Sequence, residues 1–314
     1  MSSLGSAVGT ARKKLDGARG WLERLLIWRI WERMLEIEFV DRSVALAGKA
    51  FVSFFPLVIV ISAFVPERLH ESIVTGVTAR FGLEGPTLRM ARGAFASSDD
   101  VKQATGVLGL LLAIFFANSF TTALQRVYLR AWRRPPSRRT GTYWRGATWL
   151  VLMVGSIALL GALRSASGDG LGIGLFAVVA VVLASGLWWF TAWFLLHGEV
   201  NPRVLIPTGL ITGIAMTGFA ASAPIWMPDV VTQNHAQFGF FGVALSLVSW
   251  FSGASICIIV GACAGPVFAE DPGGVGSLVR GGDRPVLRAG ALPPLPAPVR
   301  ALTLRDAFQS AEET

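Results

Sequence analysis

The chain has 314 residues, 53% hydrophobic and only 15% charged, against roughly 25% charged in a typical soluble domain, which excludes an ordinary water-soluble globule and points to a polytopic membrane protein. Its net charge of +8 would suit nucleic acid, but the positive residues cluster beside apolar runs, so anionic lipid headgroups are the expected counterpart and nucleic acid is not. The two cysteines, Cys257 and Cys263, share one apolar run at a spacing that places them on different helix faces, so no disulfide framework is expected.

Residues 1–20 are Gly/Ser/Ala-rich and basic and read as mobile. They contain no apolar h-region, so no cleavable signal peptide is expected. Residues 21–42 carry Trp21, Leu25, Trp28, Leu35 and Phe39 at helical spacing, opposite Glu23, Arg24, Arg29, Glu32, Arg33 and Glu36. This predicts an amphipathic helix lying in the membrane interface; packing on the protein's own inner face is the plainer alternative.

The first predicted span, residues 43–65, is apolar apart from Lys49 and is interrupted near its middle by Pro56. Its length suits the roughly 20 residues that cross a bilayer core. Residues 66–103 balance five Lys/Arg against five Asp/Glu and suggest two short external helices divided at Gly85-Pro86. Five more apolar runs follow, at about 104–124, 144–163, 173–196, 204–224 and 238–268. A short loop is expected at 225–237, and a disordered tail at 270–314.

Orientation follows from the short loops. Eight Lys/Arg precede the first span and six stand in 125–143, while 164–172 has one and 225–237 none. Six spans with both termini cytoplasmic place every basic segment on one side.

Small residues mark contact faces, because they let helix backbones approach in lipid. Gly209, Gly213, Thr217 and Ala221 form one stripe on the fifth span, and Gly242, Ser246, Ser249, Gly253 and Cys257 another on the sixth. The expectation is that these two spans pack together, or that the stripes line a passage.

Several polar residues are candidates for function. Lys49 either snorkels to the headgroups or holds an anion inside the membrane. Pro56 gives a kink or a hinge. Asn118 and Gln125 are seven apart and share a face, either bonding to neighbouring helices or forming a polar track toward Arg126. Arg126, Arg130, Arg133, Arg134, Arg138 and Arg139 form a basic loop with no acid among them, which attracts anionic lipid or sets topology. His197 and Glu199 are too few for a metal site. No HExxH, GxSxG or Walker-type motif occurs, so no catalytic residue, metal or cofactor is expected.

Three segments carry a family resemblance: ALAGKAFVSFFPLVIV at 45–60, NSFTTALQRVYLRAW at 118–132 and GFFGVALSLVSWFSGASICIIVGA at 239–262. Together they resemble the YihY/BrkB membrane proteins, virulence-factor-like proteins once mislabelled ribonuclease BN. The chain departs from that pattern at Gly48-Lys49, where an aromatic pair is common. The resemblance implies six spans, both termini inside a bacterial cytoplasmic membrane, and a part in envelope maintenance. The expected fold is all-α, and the expected activity is binding or transport of an amphiphile or anionic solute. A non-transporting scaffold acting through the cytoplasmic helix and tail is the rival. Membrane lipids are the expected partners, with self-association left open.

Overall fold

The computed structural model describes residues 26–64, 99–135, 142–166, 171–271, 274–282 and 286–287. These form eight α-helices: α1 Leu26–Glu36, α2 Phe39–Phe64, α3 Asp99–Ala131, α4 Thr142–Ala166, α5 Leu171–Leu195, α6 Ile206–Phe238, α7 Phe240–Ala269 and α8 Gly274–Arg280. Five of them, α3 to α7, contain segments long and apolar enough to cross a membrane, so the protein is an all-helical integral membrane protein. Of the predicted external segment 66–103, residues 99–103 belong to α3 and the rest lie outside the described residues, as do the N-terminal 25 residues, Arg138 and Arg139.

Helix ends are set where the chain can turn. Glu38 (φ 59°), Arg133 (φ 49°) and His197 (φ 55°) adopt left-handed backbone and stop α1, α3 and α5. After α3, Arg134 N–H returns 2.7 Å to Leu129 O, and after α5, Gly198 N–H returns 3.0 Å to Trp193 O. Both are the long-range closures that satisfy a helix's last carbonyls. Gly239 (φ 57°) makes the tight reversal between α6 and α7, where a side chain would be strained.

α7 is the common neighbour of α6, α2, α1 and α8; α2 packs along α3, and α5 along α6. The main core lies toward the Arg-rich end of the bundle, here called the basic end. It is built from Leu46, Leu124, Tyr128, Trp132, Trp188, Leu196, Leu205, Ile259 and Cys263. A smaller cluster of Ala223, Met227 and Val231 sits on α6 with Trp226 and Trp250 against it. Large apolar side chains such as Phe115, Val151, Val178 and Val182 point outward, as they do where the surrounding solvent is lipid.

Four expectations are revised. The amphipathic helix is shorter than 21–42 among the described residues: it ends at Glu36, and α2 begins at Phe39, four residues before the predicted span. The second span does not stop at 124; α3 continues to Ala131, so Gln125, Arg126 and Arg130 stand on helix rather than loop. The predicted loop at 225–237 is helical, because α6 runs through Pro224 and Pro228 to Phe238; apolar Trp226, Met227 and Val231 still have a packing face there, and prolines are tolerated where neighbours support the backbone. The tail is ordered at its start: α8 follows α7, Arg280 donates to Ala269 O and Asp271 O, and Val200 forms an isolated antiparallel bridge with Leu287.

α1 is amphipathic in an unusual sense. Ile27, Trp31 and Leu35, spaced by four, point outward with Trp28. Arg33, Met34 and Ile37 are buried against the bundle. Arg33 therefore faces protein together with Met34 and Ile37, while Ile27, Trp28, Trp31 and Leu35 face away from it.

Candidate functional site

Lys49 sits on α2, about two turns inside the apolar stretch. Its side chain is half-buried, and Nζ donates to Ser119 Oγ of α3 at 2.8 Å. One turn on, Ser53 Oγ lies 2.7 Å from Lys49 O and 3.1 Å from Phe116 O, and donates to one of them. These contacts tie α2 to α3. Among the described residues Lys49 makes no ion pair; its side-chain hydrogen bond is to the Ser119 hydroxyl. Pro56, two turns further, is buried inside a continuous helix that reaches Phe64.

Asn118 and Gln125 serve different neighbours, so they do not form a polar track. Asn118 lies where α3 and α4 approach most closely; a Cβ on Gly146 would stand 2.9 Å from Asn118 Cα. Its Oδ1 is buried without a hydrogen-bond partner. Gln125 Nε2 donates to Leu195 O at 3.0 Å and lies 3.2 Å from His197 Nδ1. Arg145 donates to Phe194 O at 2.7 Å with its guanidinium over the Phe194 ring. Gln125 and Arg145 thus cap the carbonyl end of α5, where donors and positive charge are stabilising.

The basic loop finds its acids elsewhere in the chain. Arg133 makes two parallel 2.8 Å bonds to Glu36 of α1, the strong bidentate form. Arg134, whose side chain is fully buried, pairs with Glu199 at 2.7 Å. Arg130 reaches Glu38 at 3.4 Å, and Arg42 reaches the same carboxylate at 3.0 Å. Arg33 donates to Ala131 O at 3.0 Å and pairs with Glu270 at 2.5 Å, and Arg29 pairs with Asp271 at 2.9 Å. Burial alone would raise the pKa of Glu36, but its hydrogen bonds from Arg133 and the charges of Arg33 and Arg133 outweigh this and hold it below the usual carboxylate value. Donating those hydrogen bonds to Glu36 likewise raises the pKa of Arg133. Arg133 and Arg134 are therefore structural, not free for lipid. Arg126 differs: it is exposed and makes no ion pair among the described residues.

The glycine stripes divide their partners. On α7, Gly253 faces Phe219, Gly261 faces Thr212 and Gly265 faces Thr208, all on α6, while Gly242 faces the last turns of α6 at Asn234. On α6, however, Gly209 and Gly213 face Trp189 and Ser185 of α5. The expectation that the α6 glycines meet the sixth span is corrected. The threonines between them meet α7, so α6 is sandwiched, with glycine toward α5 and threonine toward α7.

Sequence reading missed Arg33, Glu36, Arg42, Ser119, Glu199 and Glu270. No local signal marks most of them, although Arg33 and Glu36 stood on the charged face of the predicted amphipathic helix. Among the described residues no group of three His, Cys, Asp or Glu side chains is placed to hold a metal ion. Compared with protein-family models, with curated proteins and with solved structures, the chain matches none.

Proposed function

We propose that the chain is a six-span protein of the bacterial cytoplasmic membrane, of YihY/BrkB type, that maintains the envelope by binding or translocating an anionic amphiphile. α2 is the sixth membrane-crossing helix in this reading. Its 26 residues extend about 39 Å at the usual helical rise, enough for a bilayer core of about 30 Å. Val40, Val44, Val52 and Phe55 point outward along it. The basic end is cytoplasmic, and α1 lies in that interface with Ile27, Trp31 and Leu35 in the acyl region.

The observation that carries the function is the Lys49 ammonium. It is half-buried in an apolar helix, its hydrogen-bond partner is a neutral hydroxyl, and no carboxylate among the described residues pairs with it. Intramembrane charges of this kind mark functional positions by default. The scaffold reading fits less well, because Arg29, Arg33 and Glu36 of α1 are engaged by the bundle and not free for a partner.

Reconstitution into liposomes with a panel of lipid-scrambling and solute-flux assays tests the transport arm. Wild type is expected to move at least one anionic amphiphile or solute, Lys49→Ala to lose that flux, and Asn118→Ala to reduce it. Wild-type protein that moves nothing across the panel contradicts transport.

A further inference from the structure

Three contacts fix how α2 and α3 run past one another. Glu38 meets Arg130, Lys49 meets Ser119 and Ser53 meets the carbonyl of Phe116. An advance of eleven residues from Glu38 to Lys49 is matched by a retreat of eleven along α3, and the next advance of four by a retreat of three, so the two helices run antiparallel in a nearly constant register. At that register Arg42 lies opposite Arg126. Arg42 is seven residues before Lys49, and Arg126 seven after Ser119. Seven residues are two helical turns, about 10 Å along the axis and on nearly the same face. The α2–α3 seam therefore carries positive charge at two levels: Arg42 and Arg126 near the basic end, and Lys49 about 10 Å deeper.

The charge on this seam is not balanced. Glu38 is the carboxylate shared by Arg42 and Arg130. Among the described residues Arg126 has no ion pair, and Arg42, though paired to Glu38 through one nitrogen, has its Nε buried without a partner. Asp41, the next acid on α2, is exposed and pairs with none of them among the described residues. Two guanidinium groups facing each other across a seam repel unless an anion sits between them. Space is left beside the seam as well: Ala45 and Gly48 are exposed, and a Cβ on Gly48 would meet nothing within 4 Å. Val44, Val52 and Phe55 continue the outward apolar surface next to that opening.

We infer that the α2–α3 seam is a lateral binding track for the phosphate headgroup of a membrane lipid, received between Arg42 and Arg126 and passed inward to Lys49 and Ser119. The acyl chains stay outside, against the apolar face of α2. The exposed Arg126 guanidinium recognises phosphate oxygens by charge-assisted hydrogen bonds, and the deeper ammonium is neutralised when the headgroup reaches it. A lipid supplies the anion because the seam opens sideways onto an apolar surface. This inference rests on the amphiphile reading above and names its ligand class.

The full chain in phosphatidylcholine nanodiscs, titrated with dansyl-labelled phosphatidic acid, tests it by energy transfer from the native tryptophans. Wild type is expected to bind saturably, with displacement by unlabelled phosphatidic acid and not by inorganic phosphate. Arg126→Gln and Lys49→Met should each weaken binding by about tenfold, the loss of one charge-assisted hydrogen bond. Lys49→Arg keeps the charge and should retain binding. Arg164→Gln, on α4 and away from this seam, should bind as wild type does. Melting curves show that each variant is folded. Equal affinity in wild type, Lys49→Met and Arg126→Gln overturns the track while leaving amphiphile binding elsewhere intact. No saturable binding by wild type overturns both readings. Displacement by inorganic phosphate overturns the lipid assignment.

Discussion

A lysine near the middle of a membrane helix costs about 2.5–3.5 kcal/mol on insertion scales, so the side chains around it matter. Lys49 is held across the α2–α3 seam by Ser119. Glycines decide packing at the same scale. A Cβ on Gly213 would lie 2.6 Å from Ser185 Cα, whereas one on Gly218 of the same helix would meet nothing within 4 Å. Gly213→Ala should therefore force α5 and α6 apart and destabilise the fold by about 1–3 kcal/mol, while Gly218→Ala should be neutral or slightly stabilising through helix propensity. Thermal melting of the two variants in detergent compares them directly; equal midpoints contradict the assigned packing.

At the scale of elements, α1 is clasped to the bundle by Arg33, Glu36 and Arg29, each engaging a residue of another segment. The pKa of Glu36 is lowered in the folded protein, so its carboxylate favours folding above the ordinary value of 4.5 and that contribution is lost as pH falls through the lowered one. The melting midpoint should stay level from neutral pH toward 4.5 and drop in more acid solution. Glu36→Gln should start lower at neutral pH and show a smaller acid drop; an unchanged acid profile in that variant contradicts the clasp. Hydrophobic runs and helical spacing made the helices legible in the sequence, and the small residues correctly marked α6 and α7 as close neighbours. Spacing names a face, however, not what meets it, which is why Gly209 and Gly213 turned out to face α5. The ion pairs were illegible for a similar reason. Arg133 and Glu36 are 97 positions apart, and Arg134 and Glu199 are 65 apart, so composition around the loop showed only unbalanced arginine. The helical stretch at 225–237 was hidden by two prolines that end helices in water and are tolerated in a supported membrane helix.

For the whole molecule, sidedness connects fold to function. α5 ends at the basic end, and α6 carries the chain across to the reversal at Gly239. The 33 residues of α6 and 30 of α7 extend about 50 and 45 Å, longer than a bilayer core of about 30 Å, so this hairpin tilts or projects beyond the other spans. In a background lacking Cys257 and Cys263, a cysteine at Arg203 should react with an impermeant thiol reagent from the cytoplasm, and one at the exposed Gln237 from the outside. Labelling of both from the same side contradicts the proposed topology. The proposed orientation also gives the α2–α3 seam its access, from the cytoplasmic leaflet.

The account stands on an anionic amphiphile engaging Lys49 at that seam. The most direct measurement is a cryo-electron microscopy structure of the full chain in nanodiscs containing phosphatidic acid. The account predicts headgroup density between α2 and α3, with a phosphate oxygen at about 3 Å from Lys49 Nζ or from the Arg126 guanidinium and acyl chains along Val44, Val52 and Phe55. A seam closed by side chains, with the Lys49 ammonium in the headgroup layer and no lipid ordered beside it, contradicts it.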